Sequence, residues 1–173
     1  MVGNQAHQWR LLGEEYLAHV RDYEYFCGMS LSALYFHLVI RTKNGDMTIS
    51  EAAKCDLYAY MAGIITKRGC RAVVINDTPN HIHFLINVSP STCFSDLVHD
   101  LQLGATHCIK THRESFIKFN GWGREFAVFS CSASDRSRII SYIKNQKTHH
   151  RTISAEDELC SFCDMAQIDY YQT

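Results

Sequence analysis

The stretch NDTPNHIHFLINV, residues 76–88, decides the fold, because it reads as the turn and second strand of a β-hairpin. Asn76, Asp77, Thr78, Pro79 and Asn80 are turn formers. The run from His81 to Val88 is mostly apolar but carries two histidines one residue apart. Successive strand residues point to opposite faces. Ile82, Phe84, Ile86 and Val88 therefore make one face, suited to a core, while His81, His83, Leu85 and Asn87 make the other. That second face sets two imidazoles side by side. They can hold one metal ion, provided a third ligand arrives from elsewhere in the chain.

The flanking segments extend the pattern. CRAVVIN, residues 70–76, is the first strand of the hairpin, and Pro90 ends the second. Upstream, ALYFHLVIRT (residues 33–42) reads as a central strand closed by the turn Lys43-Asn44-Gly45-Asp46. Residues 48–67 have helical spacing, with Ile49, Ala52, Ala53, Leu57, Tyr60, Met61, Ile64 and Ile65 on one stripe. Thr48 or Ser50 can cap that helix and Gly69 end it. Downstream, a long helix runs over residues 91–112, with Phe94, Leu97, Val98, Leu101, Ala105, Cys108 and Ile109 inward. A turn at 120–123, a strand at 125–131, a helix over 134–149 capped by Ser134 and a short helix at 154–168 complete the chain. The order predicts an α+β protein with a ferredoxin-like βαββαβ antiparallel sheet and an added C-terminal helix. Two helices cover one face of such a sheet and leave the histidine face open.

Composition sets the frame for this fold. The 173 residues are 46% hydrophobic and 12% aromatic, enough for one packed domain over residues 29–173. Residues 1–28 read as an extension, helical from about Glu14 to Tyr25, or as an upstream misreading of a start at Met29. No apolar run approaches the ~18 residues of a membrane span, and no secretory pattern opens the chain, so a soluble cytoplasmic protein without membrane contact is expected. Eight cysteines are scattered, with Cys160 and Cys163 the only close pair. They read as thiols in a reducing cytosol rather than as a zinc site. The net charge of −1 does not announce a nucleic-acid binder, but a local basic face is enough for one. Lys110, His112, Arg113 and Lys118 form one basic cluster, and Arg136, Arg138, Lys144, Lys147 and Arg151 another.

The missing ligand is sought in SDRSRIISYIKNQKTHH, residues 134–150. Tyr142 and Gln146 are four apart, so a helix puts them on one face, one turn above the other. His149 and His150 continue that stripe. Such a helix lying on the open face brings a phenol and an amide oxygen to the two imidazoles. A hard divalent ion, Mg²⁺ or Mn²⁺, accepts imidazole nitrogen and amide oxygen and keeps positions for phosphate oxygens. It polarises a scissile phosphate, and a phenol can attack the phosphorus. The remaining candidates have plainer readings: His37 as a core histidine, Tyr58 and Tyr60 as packing, Asn80 as a turn former, Trp122 as core, His149 and His150 as facing solvent or DNA.

These residues together carry a resemblance. His81-Ile82-His83 resembles the HUH motif, and Tyr142 to Gln146 followed by His149 and His150 resembles the catalytic helix of single-tyrosine HUH transposases. That group includes insertion-sequence transposases and their relatives associated with repetitive extragenic palindromes (REP). YFHLVIRTKN and GWGREFAVFSCSASD are further echoes, and the likeness spans residues 32–169. Gly123-Arg124-Glu125-Phe126 departs from the glutamine and Gly-Tyr pair common in relatives. The resemblance implies that the added helix is catalytic. It implies attack by Tyr142 on single-stranded DNA, a 5′-phosphotyrosine and a free 3′-OH, with His81, His83 and Gln146 holding the divalent metal. It also implies recognition of a DNA hairpin and a homodimer. Of the two basic clusters, Lys110, Arg113, Lys144, Lys147 and Arg151 are the DNA-contacting candidates, with an ordinary solvated face as the alternative for residues 144, 147 and 151. A domesticated hairpin-binding protein with little or no transposition is the alternative. A two-histidine phosphoesterase fits poorly, because such enzymes carry a hydroxyl two residues after each histidine, where this chain has His83 and Leu85.

Overall fold

The computed structural model describes residues 32–169. The expectations for residues 1–28 lie outside the described residues. Strands β1 (Tyr35–Thr42), β2 (Arg71–Thr78), β3 (His81–Asn87) and β4 (Trp122–Cys131) form one antiparallel sheet in the order β2-β3-β1-β4. Helix α1 (Lys54–Lys67) joins β1 to β2, and α2 (Phe94–Thr111) joins β3 to β4. This is the βαββαβ arrangement read from the sequence.

The alternation in β3 assigns the two faces. Ile82, Phe84 and Ile86 are fully buried with Leu38 and Ile40 of β1, Leu57, Met61 and Ile65 of α1, and Leu97 and Leu101 of α2. Each such side chain contributes about 1.5–3 kcal/mol relative to exposure. Ser50 accepts the Ala52 amide at 3.3 Å and starts a short 3₁₀ turn (Glu51–Ala53) that leads into α1. Gly69, at φ +71°, ends the helix where a β-carbon would be strained. At Gly104 the helices come so close that a β-carbon would run into Ile64 and Tyr60 of α1.

The other face of the sheet is covered by α3 (Arg136–Lys144), α4 (Gln146–His149) and α5 (Ala155–Ala166). The continuous helix expected over 134–149 is broken at Asn145, whose backbone leaves the helical region at φ −95°, ψ 11°. The cause lies in β2. The Asn76 side-chain amide donates to the carbonyls of Ile143 (2.6 Å) and Lys144 (3.3 Å), so the end of α3 is satisfied by the sheet instead of by another turn. The cap also shifts: Ser132, not Ser134, caps the 3₁₀ turn that precedes α3. Helix α5 begins with Ser154, which accepts the Asp157 amide at 3.1 Å and donates to its carboxylate at 2.7 Å. Glu156, Asp157 and Glu158 fill its first turn, where the helix dipole favours acids. An ion pair at 3.0 Å between Arg41 of β1 and Glu156 fastens that turn to the sheet.

Candidate active site

The site lies between the open face of the sheet and helices α3 to α5. Strand pairing sets Arg41 opposite His81 and Val39 opposite His83 on β1, and Thr78 and Asn76 opposite them on β2. Both imidazoles are enclosed, at 2% and 0% exposure. Gln146, at the start of α4, is also fully buried, and Tyr142 of α3 is half-buried. The structure therefore brings together His81, His83, Tyr142 and Gln146, the four residues singled out in the sequence.

At their meeting point stands Glu158 of α5, which sequence reading did not single out. Its Oε2 lies 3.4 Å from His81 Nε2, 3.4 Å from His83 Nε2 and 3.2 Å from His150 Nε2. Its Oε1 accepts hydrogen bonds from the Tyr142 hydroxyl and from Gln146 Nε2, the latter at 3.0 Å. His149 is beside the phenol, with Nε2 3.3 Å from the Tyr142 oxygen. His149 and His150 were expected to face solvent or DNA. The last residue of α4 and the one after it both face the site, and His150 Nε2 comes within 3.1 Å of His81 Nε2. His37 is likewise not part of the hydrophobic core. Strand parity puts it on the site face, where its Nε2 meets His83 Nδ1 at 2.8 Å.

Outer partners set the tautomers. His150 Nδ1 donates to the Ile153 carbonyl at 2.9 Å, and His81 Nδ1 donates to Asn80 Oδ1 at 2.7 Å. Both oxygens are acceptors, so both hydrogens sit on Nδ1 and each Nε2 presents a lone pair. Asn80 thus does more than form a turn: it orients a histidine from outside, as acceptors around metal sites do. Burial lowers the pKa of His81 to about 4 and of His37 to about 3, and it lowers that of His83 as well. The imidazoles are neutral at neutral pH. Burial raises the Glu158 pKa, but the neighbouring imidazoles of His81 and His83 and the hydrogen bond from Tyr142 outweigh it and hold the carboxyl well below its usual range. For Tyr142, burial first and then the bond to Glu158 push the phenol upward, so it is protonated at rest.

The residues fit a divalent cation. His83 Nε2 and Gln146 Oε1 are buried without a hydrogen-bond partner, a cost that an ion would relieve. His81, His83, His150 and Glu158 each offer one donor atom, all within 4.8 Å of one another. Donors about 2.1 Å from one ion stand roughly 3.0 Å apart at right angles and roughly 3.4 Å apart in a tetrahedron, close to the shorter separations here.

The basic candidates divide between two layers. Lys144, Lys147 and Arg151 are exposed on and after α3, where Lys147 pairs with Glu51 at 2.5 Å. Lys110 and Arg113 are exposed at the end of α2, in the layer across the sheet. Trp122 packs against Phe119, with ring centroids 5.1 Å apart, and donates to Thr106 at 3.2 Å. The seven described cysteines are free, and among the described residues the metal-capable group contains none of them. No helix among the described residues is long and apolar enough to cross a membrane.

Two signals in the sequence point to the residues that were missed. Ala155, Glu158, Leu159, Phe162 and Cys163 form the inward stripe of α5, and one acid on an apolar stripe marks a buried carboxylate. His37 shares strand parity with Val39 and Arg41, which oppose His83 and His81.

Comparison with known proteins agrees with this architecture. A candidate transposase of Deinococcus radiodurans R1 is 22% identical, with a TM-score of 0.53, over 68% of this chain and 93% of its own. A REP-associated tyrosine transposase, solved bound to a REP hairpin, superposes with a TM-score of 0.55 at 13% identity, over 72% of this chain and 73% of its own. No curated protein matches. The sequence profile of the family described as "Transposase IS200 like" matches residues 30–146, which include β1 to β4, both imidazoles of β3, Tyr142 and Gln146. The chain belongs to the IS200-like transposase family.

Proposed function

We propose that this protein nicks and rejoins single-stranded DNA beside a hairpin, with residues 29–173 acting as one domain and Tyr142 as its nucleophile. The observation that carries this reading is the convergence of the Tyr142 hydroxyl, through Glu158, with the buried imidazoles of His81 and His83. His81, His83 and Gln146 would hold Mg²⁺ or Mn²⁺, which when bound polarises the scissile phosphate. The phenol oxygen of Tyr142 bonds to phosphorus, the bond from phosphorus to the 3′-oxygen breaks, and the products are a 5′-phosphotyrosine and a free 3′-OH. Because the phenol is protonated at rest, its proton is given up as the bond to phosphorus forms, and the departing 3′-oxygen takes up one proton to become the 3′-OH, so the step is proton-neutral overall. Joining reverses these steps, with a 3′-OH attacking the phosphotyrosine. Lys144, Lys147 and Arg151 border the nucleophile and are suited to phosphates near the cut. Lys110 and Arg113, in the opposite layer, are suited to more distant phosphates of the hairpin. We take the active form to be a homodimer, which light scattering would show as twice the 19.8 kDa chain mass.

The test is incubation with labelled single-stranded hairpin DNAs and Mn²⁺, resolved on a denaturing gel. A slow protein–DNA band is expected, absent with EDTA and absent in Tyr142→Phe. An adduct of equal yield in Tyr142→Phe would reject the nucleophile. Hairpin binding without any adduct would favour the domesticated binder, which the net charge of −1 also suits.

A further inference from the structure

The stretch matched to the family ends at residue 146, yet two of the groups facing the imidazoles of β3 come after it. We propose that His150 and Glu158 are ligands of the same metal as His81 and His83, so that the C-terminal segment completes the centre with an imidazole and a carboxylate. This rests on the reading of His81 and His83 as metal ligands.

Four geometrical facts carry it. Glu158 Oε2 faces three Nε2 atoms at 3.2–3.4 Å. Two of those nitrogens, in His81 and His150, have their hydrogens fixed on Nδ1 by acceptor oxygens. The third, in His83, has no hydrogen-bond partner. The carboxylate is itself 4% exposed, so water does not solvate it. Lone pairs on nitrogen and oxygen that converge in a buried space repel one another. A single proton would relieve one of the three close approaches, whereas a divalent ion relieves all of them.

The carboxylate has a second role in this arrangement. Its Oε1 accepts from Tyr142 and from Gln146, so the oxygen that does not face the imidazoles fixes the nucleophile. Glu158 is thereby a positioning residue for Tyr142, linking the metal to the phenol through one side chain.

The test is metal binding without DNA, by calorimetry with Mn²⁺ and by the visible absorption of the Co²⁺-loaded full chain. Wild type, His83→Ala, Glu158→Gln, Glu158→Ala and His150→Gln would be compared, each checked for folding by circular dichroism. The proposal expects Glu158→Gln and His150→Gln each to weaken Mn²⁺ binding at least tenfold and to change the Co²⁺ spectrum. Glu158→Ala keeps the test open if Gln ligates through its own oxygen, and it should weaken binding further. If His83→Ala abolishes binding while both Glu158 variants bind as tightly as wild type with unaltered spectra, the carboxylate is not a ligand and the proposal falls alone. The same result for His150→Gln removes His150 from the set. If wild type and His83→Ala bind Mn²⁺ equally, or neither binds it, the two-histidine centre fails and the proposal with it.

Discussion

Residues at the site keep their neutral-pH protonation states over a wider pH range than exposed groups would, and stability should report this. Burial lowers the folded pKa of His81 to about 4 and of His37 to about 3, against a reference of 6.5. Above pH 6.5 the folded and unfolded chains both carry these groups neutral. Below it the unfolded chain takes up protons that the folded chain refuses, so stability present above pH 6.5 is lost as pH falls toward 4 and then 3. Within that window each histidine costs on the order of 1.4 kcal/mol per pH unit. Urea unfolding of the metal-free protein in EDTA should therefore show a lower midpoint at pH 5 than at pH 7. An unchanged midpoint would mean that the imidazoles are already protonated in the fold. Asn80 offers a second test at this scale. With its side chain removed, the His81 ring loses the nearer of its Nδ1 partners and retains Thr78 at 2.8 Å. Asn80→Ala should weaken Mn²⁺ binding by about 10-fold or more, as losses of outer partners commonly do. Calorimetry of the variant checks this.

Elements differ in how plainly the sequence announced them. The faces of β3 followed from parity, because a strand has a period of two and one apolar face leaves no choice of register. Helices α1 and α2, of fourteen and eighteen residues, followed from their apolar stripes. The break at Asn145 was hidden, since nothing local forbids a helix through Lys144-Asn145-Gln146. It depends on Asn76, which lies nearly seventy residues earlier and competes for the end carbonyls of α3. The site was legible in the same proportion. Tyr142, Gln146 and the two strand histidines stand in spaced motifs, whereas Glu158 enters through a chain reversal that spacing cannot show. Asn76 gives a prediction at this scale. Asn76→Ala removes both bonds to α3 and should destabilise the protein by about 1–3 kcal/mol, the cost of leaving partly buried carbonyls unpaired. Amide exchange in α3 should rise more than in α2, and adduct formation should fall because Tyr142 loses its support. Uniform exchange in both helices would place the stabilisation elsewhere.

The molecule as a whole has a net charge of −1, so its attraction to DNA must be local. Lys144, Lys147 and Arg151 are on the side of Tyr142, and Lys110 and Arg113 are across the sheet. Salt titration of hairpin binding separates the two groups. Removing a side chain that neutralises one phosphate should reduce the slope of log affinity against log salt by about 0.7–0.9. Lys144→Ala and Arg151→Ala are expected to do so. Lys147→Ala should do less, because its charge is already shared with Glu51. Equal slopes in all variants would move the DNA path to another surface.

The helix that carries Glu158 is separable from the sheet it covers. The sheet and its paired histidines leave little room for substitution, since a change at β3 disturbs the core on one side and the site on the other. Helix α5 is fastened by a capping serine and an ion pair to Arg41, and it lies beyond the stretch that the family shares. If Glu158 is a ligand, substitutions there would alter how firmly an ion is kept without touching the sheet. One twelve-residue helix can then be exchanged or retuned while the sheet beneath it keeps its register.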